Sequence, residues 1–231
     1  MRSLPGRWSR SSIAPRRNHR QPTGLLEEIV FSCRNNLTQS RETDYPELAE
    51  TAGAGVRPDG VFAFLVDWDT GSAEQVARSL AQYHWRTRGE FSTEGWTIEF
   101  AVRAQGRIIG VQGVSSTSFP RTRSVSTGSW LARSEHGKGY GTRMRAALVT
   151  AFADHFGAET FHTGYFIGND ASRRVSEKVG YRPNGEHTII AQDGNAHLEY
   201  RAVLSADKIV RPPDPVEVTG AEAVRRFLGI D

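Results

Sequence analysis

The chain has 231 residues, 38% of them hydrophobic and 24% charged, with one cysteine and a net charge of +3. That length suits one domain of the larger kind, and the longest apolar run, VFAFLV at 61–66, is far too short to span a bilayer. The lone Cys33 excludes a disulfide framework and points to a reducing, cytoplasmic setting.

The basicity belongs to one end. Arg2, Arg7, Arg10, Arg16, Arg17 and Arg20 precede any acidic residue, so a total of +3 leaves residues 21–231 at −3. Arg, Ser, Pro and Gly dominate this arm, a composition too poor in apolar surface to fold, and it lacks the apolar stretch of a secretory signal. The expected organisation is a disordered basic arm (1–22), a folded domain (23–206) and a C-terminal extension with a short helix (207–231). A mildly acidic domain makes nucleic acid an unexpected partner.

Along the chain, 25–33 reads as a first strand. Residues 42–53 read as a short helix with Thr43 or Asp44 as its cap, Pro46 in the first turn and Gly53 at its stop. Residues 60–72 form an apolar loop. Ser72 opens a second helix with Gln75 as capping-box partner, a buried stripe of Val76, Leu80, Tyr83 and His84, and an end at Gly89. Strict alternation of Trp96, Ile98, Phe100 and Val102 predicts a strand at 96–102, and the turn at 104–106 returns the chain as a second arm at 107–116. After a break at Phe119-Pro120, residues 123–132 form a further strand. Met144, Ala147, Leu148, Ala151, Phe152 and Phe156 then follow helical spacing up to Gly157. A strand at 159–168, a helix from Asn169 or Asp170 to Gly180, strands near 187–192 and 196–204, and an amphipathic terminal helix complete the series. Trp68, Trp85, Trp96 and Trp130 read as core or cleft wall. Arg143 and Arg145 read as a solvated helix face. Hairpin-linked strands outnumber strand–helix alternation, so the fold class is α/β in the α+β sense, a mixed, largely antiparallel sheet flanked by helices.

Residues 136–141, HGKGYG, place three glycines at alternate positions directly before a helix. Helix N-termini carry unpaired N–H groups and partial positive charge, and glycines let those amides approach an anion without a Cβ in the way. The P-loop template fails, because Tyr140-Gly141-Thr142 stands where a Lys-Ser/Thr pair belongs. The dinucleotide fingerprint fails too: Arg133 to His136 separate strand from glycines, and Glu159 begins the next strand rather than ending it. No histidine pair stands at metal-ligand spacing.

HGKGYG resembles the Q/R-x-x-G-x-G/A pyrophosphate loop of the GNAT superfamily of acyl-CoA-dependent N-acyltransferases, with His136 in the place of Gln or Arg. Beginning 28 residues after Gly141, NDASRRVSEKVGY (169–181) resembles the N-x-x-S-x-x-V-x-x-K-x-G-F/Y segment of the branch related to ribosomal-protein N-acetyltransferases. The stretch STGSWLARSEHGKGYGTRMRAAL, with FAFLVDW upstream, is similar to an actinobacterial subgroup of that branch, some members of which use succinyl-CoA. The likeness extends over about residues 43–204.

The resemblance implies a GNAT-like sheet and transfer of an acetyl or succinyl group from coenzyme A to an amine-bearing acceptor: a protein N-terminus, a lysine or a small molecule. It implies no metal, and a homodimer is an open expectation. Amides of His136, Gly137, Lys138, Gly139, Tyr140, Gly141 and Thr142 would hold the pyrophosphate, with a charge contact from Lys138 or Arg143. Trp130, Leu131 and Ala132 would pair with the pantetheine arm and supply the oxyanion N–H, and Asn169 would bond that arm from the other side. Ser172 would give a proton to the departing thiolate, or else simply support the helix start. The tyrosine slot used by much of the superfamily holds Ser176, and a common glutamate slot holds Ser126. Glu99, His162 and Glu186 are substitutes by location, and no base is assigned. Those missing groups keep a non-catalytic acyl-CoA sensor or interaction module on the same fold as the alternative.

Overall fold

The computed structural model describes residues 30–32 and 36–230. The basic arm, Cys33 and most of the expected strand at 25–33 lie outside the described residues. Alternation at 96–102 builds the central hairpin, β3 (Gly95–Ala104) and β4 (Arg107–Thr117), closed by Gln105 and Gly106 at φ of +52° and +79°. Two left-handed residues in a row match the twist of the flanking strands.

The remaining strands extend the hairpin on both sides. They are β1 (Val30–Ser32), β2 (Asn36–Gln39), β5 (Ser124–Leu131), β6 (Thr160–Phe166), β7 (Arg182–Ile190), β8 (Ala196–Ser205) and β9 (Glu217–Thr219). Among the described residues one nine-stranded sheet results, in the order β7-β8-β6-β5-β4-β3-β2-β1-β9. Every neighbouring pair is antiparallel except β5 and β6. Those two pair only from Ser124–Ser126 to Thr160–His162. Beyond Ser126, β5 stays with β4 while β6 stays with β8, and a gap opens in the sheet.

One face packs against α4 (Tyr140–Phe156), whose Met144, Leu148, Phe152 and Phe156 meet Trp96, Ile98, Phe100 and Val102. The other face is covered by α1 (Tyr45–Gly53) and α2 (Ala73–Gly89), which bury Leu48, Val76 and Leu80 against Ala101, Ile108 and Val111. A four-residue α3 (Phe119–Thr122) stands at the expected break, and α5 (Asp170–Val179) packs beside α4. The terminal helix, α6 (Ala221–Leu228), sends Val224 and Leu228 into the α4 core, and Arg225 donates to the His155 carbonyl at 2.9 Å. Among the described residues no helix is long and apolar enough to cross a membrane.

Four details depart from expectation. Strands β2 and β9 are extra; each is three or four residues of mixed polarity and exists through its ladder partners rather than local propensity. Strand β7 begins at Arg182, well before position 187, held by the β8 ladder. Trp85 is exposed, and Tyr83 is 37% exposed rather than part of the buried stripe. The face of α2 toward the sheet is the narrow row Val76, Leu80 and His84, and Tyr83 flanks it.

The α2 cap forms as expected. Ser72 Oγ accepts from Gln75 N–H at 3.3 Å, and Gln75 Oε1 accepts from Ser72 N–H at 2.7 Å. Ser72→Ala is therefore expected to lower unfolding free energy by about 1 kcal/mol, read from chemical denaturation.

Candidate functional site

The glycine loop is shaped by backbone angles that other residues adopt at a cost. Gly137 and Gly139 have φ of +76° and +82°. Gly139 is the N-cap of α4, with no side-chain cap bond. The amides of Tyr140, Gly141 and Thr142 are therefore first-turn donors without intrahelical acceptors, aligned with the positive end of the helix. Gly141 also lets α4 approach α5, since a Cβ there would lie 3.0 Å from Val175 Cγ2.

The gap between β5 and β6 supplies a second set of donors. Ala132 N–H bonds to Ile109 O at 2.8 Å, and Val111 is the ladder partner of Trp130. Strand alternation then turns the N–H groups of Ser129 and Leu131 away from β4, toward the gap. This corrects the expectation for Trp130 and Ala132, whose N–H groups point to β4. Gly110 allows this close ladder: a Cβ there would come within 2.8 Å of Leu131 Cα.

Loop 54–72 forms a wall over the gap. Arg57 bonds Asp69 at 2.7 Å and the Val61 carbonyl at 3.0 Å, Arg133 N–H bonds the Gly55 carbonyl at 2.9 Å, and Arg133 pairs with Asp59. At its far side the loop clasps the β7–β8 hairpin. Gln192 bonds Leu65 O and Asp67 N–H, and Phe62 stacks on His197 at 3.6 Å. Loop, gap and glycine turn enclose one cavity of about 780 Å³, within the range of small-molecule sites.

The expected site residues divide. Trp130, Leu131, His136, Gly137, Gly139, Tyr140, Gly141, Thr142, Asn169 and Ser172 all line the cavity. Ala132 and Lys138 do not; the Lys138 ammonium pairs with Glu135 at 3.0 Å, and Arg143 lies over the Tyr140 ring and bonds the Lys138 carbonyl. His136 is tied to the Leu131 carbonyl through Nε2 at 3.1 Å, which fixes the loop to the end of β5. Asn169 caps α5, its Oδ1 accepting from Ser172 N–H at 3.2 Å, so its NH₂ takes no part in the cap. Ser176 is buried, donates to the Ser172 carbonyl and does not line the cavity. Ser126 and His162 line a separate groove, and Glu186 is exposed.

Two further groups line the cavity, one unforeseen from spacing and one named by its location. Arg145, expected at a solvated face, is 2% exposed; it donates to Gln112 Oε1, Thr163 Oγ1 and Ser129 Oγ at 3.1, 3.2 and 2.9 Å. Glu99 accepts from Tyr83 Oη at 2.6 Å. Burial pushes the Glu99 carboxyl up to about 7, partly offset by that hydrogen bond, and burial next to Glu99 pushes the Tyr83 phenol higher still, so it remains a donor. Among the described residues no cluster of three His, Cys, Asp or Glu side chains could hold a metal.

A splayed sheet, a glycine-led helix without a side-chain cap and the cavity joining them make up the site. A family model described as acetyltransferase (GNAT) domain matches residues 34–182, and the chain belongs to that family. Among solved structures it is similar to Mycobacterium smegmatis RimJ in complex with CoA-disulfide, at 17% identity, TM-score 0.63, covering 88% of this chain and 95% of that one. It is also similar to RimL, the ribosomal L7/L12 alpha-N-protein acetyltransferase in complex with coenzyme A, at 17% identity and TM-score 0.58, covering 77% and 97%. A third is the microcin C7 self immunity acetyltransferase MccE in complex with acetyl-CoA and AMP, at 13% identity and TM-score 0.56, covering 74% and 92%. At these identities the likeness is one of fold.

Proposed function

We propose that the protein is an acyl-CoA-dependent N-acyltransferase that moves an acetyl group to a primary amine by direct attack. The observation that carries this reading is the continuity of the cavity from the uncapped amides at 140–142 to the free β5 edge at Ser129 and Leu131. A diphosphate matches the first, and a peptide-like pantetheine arm matches the second. The bound carrier supplies the activated acyl group as a thioester. The chain's part is to hold that arm along β5, present N–H groups where the carbonyl oxygen gains charge, and exclude water. The acceptor is an amine on a protein N-terminus, a lysine or a small molecule. It enters beside Phe64, Trp68, Leu80 and Tyr83, an apolar wall that favours a partly hydrophobic acceptor.

Steady-state release of free thiol from acetyl-CoA, measured with α-amino peptides, lysine peptides and small aliphatic amines, tests the reading. Turnover with one class supports it; tight binding with no turnover for any amine would instead identify a sensor. Ser172 is assigned to protonate the leaving thiolate. Its helix-supporting bond uses its backbone N–H, so Ser172→Ala keeps the cap. The variant is expected to lose roughly tenfold or more in kcat with KM for acetyl-CoA nearly unchanged.

A second reading of the donor rests on Arg145. Its guanidinium is buried, its side-chain partners are neutral, and no carboxylate among the described residues pairs with it. An acyl group ending in a carboxylate, such as succinyl, would supply the missing charge. Comparing kcat/KM for succinyl-CoA and acetyl-CoA decides between the two donors.

A further inference from the structure

We propose that Glu99 is the general base of the transfer, held in place by Tyr83 and given room by two glycines. This assignment rests on the acyltransferase reading above and adds the group that takes the acceptor's proton.

Ladder register puts Glu99 opposite Gly113, and Gly113 opposite Gly128, in one row across β3, β4 and β5. A side chain at either glycine would fill the space between the carboxylate and β5. A Cβ on Gly113 would lie 2.6 Å from both Glu99 carboxylate oxygens, so the carboxylate sits directly over that residue. Strands lie about 4.8 Å apart. The carboxylate is thus one strand spacing from Gly128, next to the Ser129 N–H that faces the gap. That interval fits an amine nitrogen, or one water relaying its proton.

The hydrogen bonding suits a base. Glu99 Oε1 accepts from Tyr83 Oη, while Oε2 has no partner among the described residues and is free to take a proton. The titratable groups set against it come from α2: Tyr83, Arg86 stacked on the Tyr83 ring at 5.7 Å, and the buried His84. Ser40, just after β2, bonds the Glu99 backbone carbonyl through its N–H at 2.8 Å, and β4 and β5 present only glycine in the row. Of the three substitutes legible in the sequence, Glu99 alone lines the cavity.

The step balances. The acceptor arrives as an ammonium and gives one proton to Glu99, which frees its lone pair. The N–C bond then forms, the C–S bond breaks, Ser172 gives its proton to the departing thiolate and regains one from the nitrogen, and Glu99 returns its proton to water.

The test compares wild type with Glu99→Gln and Tyr83→Phe, using acetyl-CoA and whichever amine of the panel wild type turns over. Glu99→Gln is expected to bind acetyl-CoA within about threefold of wild type by calorimetry and to lose at least about 10²-fold in kcat. Wild-type kcat/KM should fall on the acid side of about pH 7, and that limb should vanish in Glu99→Gln. Tyr83 both holds the carboxylate and lowers its pKa, so Tyr83→Phe should move the limb to higher pH and reduce kcat, by less than Glu99→Gln does. A readout independent of turnover comes from the unliganded protein. A carboxyl raised on folding contributes stability below its unfolded pKa and loses it as pH rises through about 7, so the melting-temperature advantage of Glu99→Gln should grow between pH 5 and pH 8. Retention of the acid limb, or of kcat within about threefold, in a Glu99→Gln protein that binds acetyl-CoA would overturn the assignment alone. Wild type that fails to bind acetyl-CoA, or binds it without turnover, would overturn the acyltransferase reading and the base together.

Discussion

A valine at position 139 is expected to weaken acetyl-CoA binding tenfold or more while the domain still folds. Gly139 holds φ at +82° and ψ at 0°, a region in which a β-branched side chain costs about 1–3 kcal/mol. If the loop keeps its shape that cost falls on stability; if it relaxes, the amides of Tyr140 and Gly141 turn away from the diphosphate. Each 1.4 kcal/mol lost from binding is about tenfold in affinity. A Cβ at 139 would meet only the flexible Arg143 guanidinium at 3.0 Å, so the effect comes from the backbone rather than from a clash. Calorimetric titration with acetyl-CoA, paired with a thermal melt, separates the two outcomes, and a variant with both affinity and melting temperature unchanged would contradict the prediction.

The largest effect on stability is expected from Phe152→Ala. Phe152 is fully buried at the centre of the α4 face, stacked on Phe156 at 4.6 Å and against Trp96 at 6.0 Å, with Phe31 edge-on at 6.2 Å. Truncation removes an aromatic ring from a site whose walls belong to β1, β3 and α4, elements that cannot all collapse inward. A loss of about 3–5 kcal/mol follows. That corresponds to a fall in melting temperature of roughly 6–20 °C for a chain of this size. An unfolding free energy lowered by less than about 1 kcal/mol in chemical denaturation would show that the core repacks.

The sequence carried most of the elements because their signals are local. Alternation at 96–102, the Ser72–Gln75 box and the α4 stripe each state a period or a cap that tertiary packing then uses. HGKGYG was legible for the same reason: positive φ at Gly137 and Gly139 is a property of the residues themselves. What stayed hidden depends on partners distant in sequence. Strand β9 forms only against β1, and Arg145 is buried only because Gln112, Ser129 and Thr163 converge on it. The place of Glu99 in a row with Gly113 and Gly128 needed the register of three strands, since nothing near position 99 announces those glycines as its neighbours. Tyr83 deceived the helical pattern, being an aromatic residue at near-core spacing whose hydroxyl is used at the cavity.

A crystal structure of the protein soaked or grown with coenzyme A would locate the carrier against the first turn of α4 and the β5 edge. The prediction is diphosphate oxygens within about 3.2 Å of the Tyr140, Gly141 and Thr142 nitrogens, with the sulfur end lying along Ser129 to Leu131. A carrier seated away from the first turn of α4, with those nitrogens facing solvent, would contradict it.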